Sequence, residues 1–168
     1  MKAKKLTLMA LLTAIALTIF MLEAQIPPVV PIQGVKLGLS NIVTVFAVFA
    51  LGSWEAAAVL ACRIFLGAVF GSFGSIFYSA AGGLCAILAT VAVRPILREK
   101  QIWVAGCLGA VAHSIGQMAV AVLISGTAYL ALYLPVMVSC SILTGLFTGL
   151  CAQFLVNRGK KVWKTFLK

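Results

Sequence analysis

The sequence predicts an all-α integral membrane protein with six transmembrane helices and both termini in the cytoplasm. Three observations predict it. Of the 168 residues, 63% are hydrophobic and only 10% are charged, whereas a soluble domain carries about a quarter charged residues; a chain of this composition cannot build a water-facing surface. The apolar residues also fall into six runs, roughly 6–24, 35–52, 54–70, 76–93, 102–124 and 128–156. A helix rising about 1.5 Å per residue needs about 20 residues to cross a bilayer. Finally, eleven of the thirteen basic residues, all but Lys36 and Arg63, flank these runs. Lys2, Lys4 and Lys5 precede the first, Arg94, Arg98 and Lys100 follow the fourth, and Arg158, Lys160, Lys161, Lys164 and Lys168 follow the sixth. Six crossings place all of them on one side, and an excess of Lys and Arg marks the cytoplasmic side. The chain, 1–168, reads as a single transmembrane domain in the cell membrane. Its net charge of +10 belongs to membrane flanks, so nucleic acid is not an expected partner.

The first run, with its basic start, has the look of a secretory signal, but it is long for a signal core and everything downstream is also apolar. It is expected to be the first spanning helix. The second and third runs are shorter, split only by Gly52-Ser53-Trp54-Glu55, and a re-entrant hairpin over 35–70 is the alternative to two crossings. That hairpin would put Arg94 to Lys100 on the outer side, against the charge rule. Between the first two runs lies EAQIPPVVPIQGVKLGLSN (residues 23–41), which holds three of the five prolines. Six crossings make it the longest external connection. Connections between antiparallel helices commonly need only a few residues, so its length asks for a reason, and its prolines stiffen it by fixing φ. The other external turns, near 71–75 and 125–127, are short and rich in Gly, Ser and Thr.

Small residues recur where helices are expected to touch: Gly67, Gly71, Gly82, Gly83, Gly106, Gly109, Gly145 and Gly149. Small residues let helix backbones approach closely within lipid. Ala10 and Ala14 form an AxxxA on the first helix, with Thr7 and Thr18 near the same face. That face docks either an internal helix or a separate membrane subunit. The five cysteines, Cys62, Cys85, Cys107, Cys140 and Cys151, lie in apolar runs without a CxxC, and read as small buried hydrophobes.

Ionisable groups at membrane depth are expensive and so face a cavity or a partner. Arg63 lies mid-way along the third run. It either pairs with Glu55, two turns back on the same face, or binds an anionic or carbonyl group. His113 is the only histidine, with Gln117 one turn on; they either join helices by a hydrogen bond or line a ligand cavity. Lys36 and Asn41 lie near the start of the second helix. Tyr78, Tyr129 and Tyr133 suit interfacial anchors, with Tyr78, between Gly-rich segments, the best placed to face inward. The candidate substrate-binding set is Lys36, Asn41, Arg63, Tyr78, His113 and Gln117. No catalytic arrangement emerges. The chain has no aspartate, hence no aspartate-rich motif for a magnesium-bound diphosphate, and it has no Walker loop or zinc-ligand cluster. No metal or cofactor is expected, an enzyme acting alone is not expected, and any ATP-driven step needs another subunit.

GVKLGLSNIVTVFAVFALG (residues 34–52), RIFLGAVFGS (63–72) and YSAAGGL (78–84) resemble the Gx transporter family, often labelled heptaprenyl diphosphate synthase component I. The likeness runs from Leu6 to about Asn157. The family in turn resembles the substrate-binding S components of energy-coupling factor (ECF) transporters. The resemblance implies a six-helix S-component-like bundle that binds a small molecule near the outer face, beneath the loop joining the first two helices, here 25–38, which would be a semi-rigid lid over the pocket. It also implies that Ala10 and Ala14 contact a transmembrane coupling subunit, with cytoplasmic ATPases supplying the energy. Two alternatives stand beside this: a non-catalytic membrane subunit of isoprenoid or quinone metabolism with an isoprenoid-like ligand, and a component of a quinone- or flavin-linked extracellular electron-transfer system.

Overall fold

The computed structural model describes residues 3–26, 36–71 and 73–167, with side chains as far as 159. It is all-helical among the described residues. The helices are α1 (Ala3–Glu23), α2 (Asn41–Ala50), α3 (Ser53–Phe70), α4 (Ser75–Val93), α5 (Ile102–Ser125) and α6 (Leu134–Leu167), with a 3₁₀ segment, Ala128–Tyr133, leading into α6. The expected runs map onto these elements, and α1, α3, α4, α5 and α6 are long and apolar enough to cross a membrane.

The second run differs from expectation. Only ten of its residues are helical, a rise of about 15 Å against a hydrocarbon core of about 30 Å. α2 by itself is therefore no sixth spanning helix. It is instead the centre of the bundle. Val43, Val45, Phe46, Ala47 and Val48 are all buried, and α2 touches each of the other five helices, which stand around it in the order α1, α3, α4, α5, α6. A helix that is apolar all round has no solvent or lipid face to present, and this one packs protein on every side. The chain still returns through the bundle here. α1 and α3 run parallel, with Lys5 paired to Glu55 at one end and Phe20 against Gly67 towards the other. The described part of the return, Lys36 to Ala50, enters through a non-helical stretch, 36–38. Gly52 (φ 134°) then turns the chain into α3, a backbone conformation that favours glycine.

The bundle is tightest where glycines meet. A Cβ on Gly106 would lie 2.4 Å from the Gly149 Cα, and one on Gly145 would lie 2.8 Å from the Cys107 Cα, so α5 and α6 are in backbone contact. α4 meets α5 in the same way, with the place of a Gly116 Cβ only 2.7 Å from the Ala81 carbonyl oxygen. Within lipid such close packing, rather than escape from water, holds helices together. Buried Ser114 and Ser141 add a hydroxyl–hydroxyl bond of 2.5 Å between α5 and α6.

α6 begins with Pro135 in its first turn, where a missing N–H costs nothing, and continues beyond the expected end at 156 to Leu167. All five cysteines are free, but they are less buried than expected: Cys62 is exposed, and the others are half-buried. Apolar side chains on a spanning helix are satisfied by lipid, so these thiols need no place in the protein core. Tyr129 and Tyr133 lie in the 3₁₀ segment and are exposed. The expected lid, 25–38, lies mostly outside the described residues, which break off between Ile26 and Lys36.

Candidate functional site

The interior of the bundle holds a polar cluster where the non-helical approach to α2 passes between α1, α3 and α5. Each helix delivers polar side chains from a mainly apolar inward face. α1 brings Phe20 and Glu23, one turn apart by count and both buried. α3 brings Arg63, only 3% exposed. α5 brings His113 and Gln117, four residues apart and so on one face, both buried. The approach itself supplies Lys36, Gly38, Ser40 and Asn41.

The contacts interlock. The Gly38 N–H donates to Glu23 Oε1 at 2.5 Å, and the Lys36 N–H donates to Gln117 Oε1 at 3.2 Å. Arg63 donates through Nη1 to the Ser40 hydroxyl. Ser40 precedes α2 yet makes no capping bond, because its oxygen faces Arg63. The Lys36 ammonium sits 3.3 Å from the centroid of the Phe20 ring, and the Arg63 guanidinium carbon is 5.6 Å from the same centroid, distances at which a cation is drawn to an aromatic face. Two glycines make room. Gly38 has φ 82°, and a Cβ on it would lie 2.9 Å from Asn41 Nδ2. A Cβ on Gly82 of α4 would lie 2.8 Å from Gln117 Cγ and 2.9 Å from His113 Cε1.

Several buried atoms in this cluster have no hydrogen-bond partner: Glu23 Oε2, both amide atoms of Asn41, and Arg63 Nε and Nη2. An unpaired buried polar group costs about 1–3 kcal/mol, more when charged. These unpaired atoms gather in one place, and this makes the cluster the candidate site.

Five of the six candidate residues come together here: Lys36, Asn41, Arg63, His113 and Gln117. Tyr78 does not join them. It is half-buried and packs against Met118, Ala121 and Met137, beyond Gln117 along α5. The ion pair considered between Arg63 and Glu55 does not form; Glu55 binds Lys5, and Arg63 turns to Ser40. Glu23 and Ser40 were missed in the sequence. Glu23 ends an apolar run, where a carboxylate looks like an interfacial charge, and the only signal for it was that a span-end acid adjoins the long connection. Ala10 and Ala14 are both exposed on α1, while Leu8, Leu12, Thr13 and Ala16 face the bundle. Internal packing therefore does not use the AxxxA face. Among the described residues no three His, Cys, Asp or Glu side chains gather as a metal site requires.

A family model described as heptaprenyl diphosphate synthase component I matches residues 12–155. No curated protein and no solved structure matches the chain. The match covers most of the chain, α1 through α6, and the chain belongs to that family, as a multi-pass helical membrane protein.

Proposed function

We propose that this member of the component I family is the substrate-binding subunit, S-component-like, of an ECF-type small-molecule uptake transporter. It sits in the cytoplasmic membrane with both termini inside and catalyses nothing itself. ATP is hydrolysed by separate ATPase subunits, and a coupling transmembrane subunit links them to this chain. The observation that carries this reading is the buried cluster of Glu23, Lys36, Asn41, Arg63, His113 and Gln117, whose free hydrogen-bonding atoms lie next to the connection between α1 and α2. A membrane protein keeps expensive polar groups at depth for a pathway or a ligand. The exposed Ala10–Ala14 face supports docking of the coupling subunit, because small residues allow a second helix to approach closely. Co-purification tests the reading directly: tagged chain, co-expressed with an ATPase pair and coupling subunit, should retain them under conditions that hold an established S component, and failure to associate would overturn it.

A second reading has one observation in its favour besides the family's description. Phe147, Leu150, Cys151, Phe154 and Leu155 line an apolar groove on α6. A groove open sideways suits an isoprenoid chain presented to a synthase partner. It is lined by a single helix and offers no polar group for a diphosphate, so it carries less weight than the interior cluster. Photo-crosslinking with a diazirine-bearing heptaprenyl diphosphate, mapped to α6, would support this alternative.

A further inference from the structure

We infer that the buried cluster is built for a small monocarboxylate that also carries an N–H or O–H donor. This rests on the substrate-binding reading and specifies its ligand.

The first support is the state of Arg63. Its Nη1 is committed to Ser40, whereas Nε and Nη2 are buried with no partner. Those two N–H groups point the same way along one edge of the guanidinium. They form the fork that a carboxylate fills with two parallel hydrogen bonds. An arginine placed only to join helices would spend that edge on protein.

Charge is the second support. Lys36 and Arg63 face a single acid, Glu23. The undescribed stretch 27–35 contains no ionisable residue, and Glu55 is taken by Lys5. With a neutral imidazole the cluster carries one unbalanced positive charge. Burying such a charge is costly unless it is paired. A monocarboxylate balances it. A phosphate monoester, at about −1.5 to −2, would overshoot, and a diphosphate more so.

The remaining free atoms describe the rest of the ligand. Glu23 Oε2 only accepts, so it calls for an N–H or O–H on the ligand. The Asn41 amide both donates and accepts, which suits a second polar group. With Oε1 held by the Gly38 N–H, Glu23 is positioned to offer its other oxygen.

The test uses the full-length protein in detergent, with thermal unfolding followed against a fixed set of probes. Lactate, pantothenate and 4-hydroxybenzoate are each paired with the corresponding primary amide, and inorganic phosphate and isopentenyl diphosphate represent the other anions. At least one acid should raise the midpoint by several degrees, while its amide should not. Arg63→Lys keeps the charge and removes the fork, and should weaken that acid at least tenfold. Should Arg63→Lys fail to fold, Asn41→Asp adds a negative charge next to Ser40 and should abolish the shift. Stabilisation by phosphate, diphosphate or an amide in place of any acid overturns the assignment, as does wild-type affinity in Arg63→Lys or an acid set that shifts nothing. None of these results touches the transporter reading, which stands or falls on association with the ATPases and coupling subunit.

Discussion

Glu23 accepts the Gly38 N–H at 2.5 Å, so the last turn of α1 grips the chain just before it enters α2. The bond joins the two ends of the connection whose middle is the proline-rich stretch. It also fixes one carboxylate oxygen while leaving the other free. The relationship makes Glu23 both a structural latch and a candidate ligand contact.

Replacing Glu23 separates those roles. Glu23→Ala should destabilise the protein by about 2 kcal/mol, the range for a hydrogen bond to a charged group, and should leave the Gly38 N–H unpaired. Glu23→Gln keeps an acceptor for Gly38 and should restore most of that stability. Equilibrium unfolding of both variants in one detergent checks the difference; equal losses would mean that the charge, rather than the bond, is what matters.

The α5–α6 contact predicts a steep response to one added methyl group. Gly106→Ala places a Cβ 2.4 Å from the Gly149 Cα, backbone that cannot swing aside, and overpacking of this kind costs about 1–3 kcal/mol or more. Gly126→Ala is the control. Nothing lies within 4 Å of its Cβ, although its φ is +64°, so it should lose only about 1 kcal/mol through backbone strain. Thermal midpoints should fall further for Gly106→Ala.

Ser114 and Ser141 should be coupled, but weakly. A double-mutant cycle on Ser114→Ala and Ser141→Ala should give about 0.6 kcal/mol, the average for hydrogen bonds between membrane helices. A value near zero would show that each hydroxyl finds an equally good local partner. Ser141 has one in the Met137 carbonyl, to which it donates at 2.7 Å while accepting from Ser114.

Orientation is checked by labelling in intact cells. In a background with the native cysteines replaced, Gly126→Cys should react with a membrane-impermeant maleimide from outside, and Lys100→Cys only after permeabilisation. The charge bias predicts this side assignment, and the reverse pattern would overturn it.

The sequence alone determined the class of protein and five of its long helices. Length and hydropathy suffice for a segment that must satisfy its backbone internally while crossing lipid. It also pointed to the rare polar residues at depth, since each is costly there and stands out against its run. It could not determine the role of the second run. A helix facing lipid and one buried in protein are both apolar on every side, so composition does not distinguish Asn41–Ala50 from a spanning helix; only the packing of five neighbours around it does. Partners were likewise a tertiary matter. Arg63 and Glu55 share a helix face by count, yet Lys5 of a parallel helix reaches Glu55 and Ser40 reaches Arg63. Glu23 enters the site because the chain folds back along α1 and sets a backbone N–H against it, a closeness that arises fifteen residues away in sequence and from no local pattern.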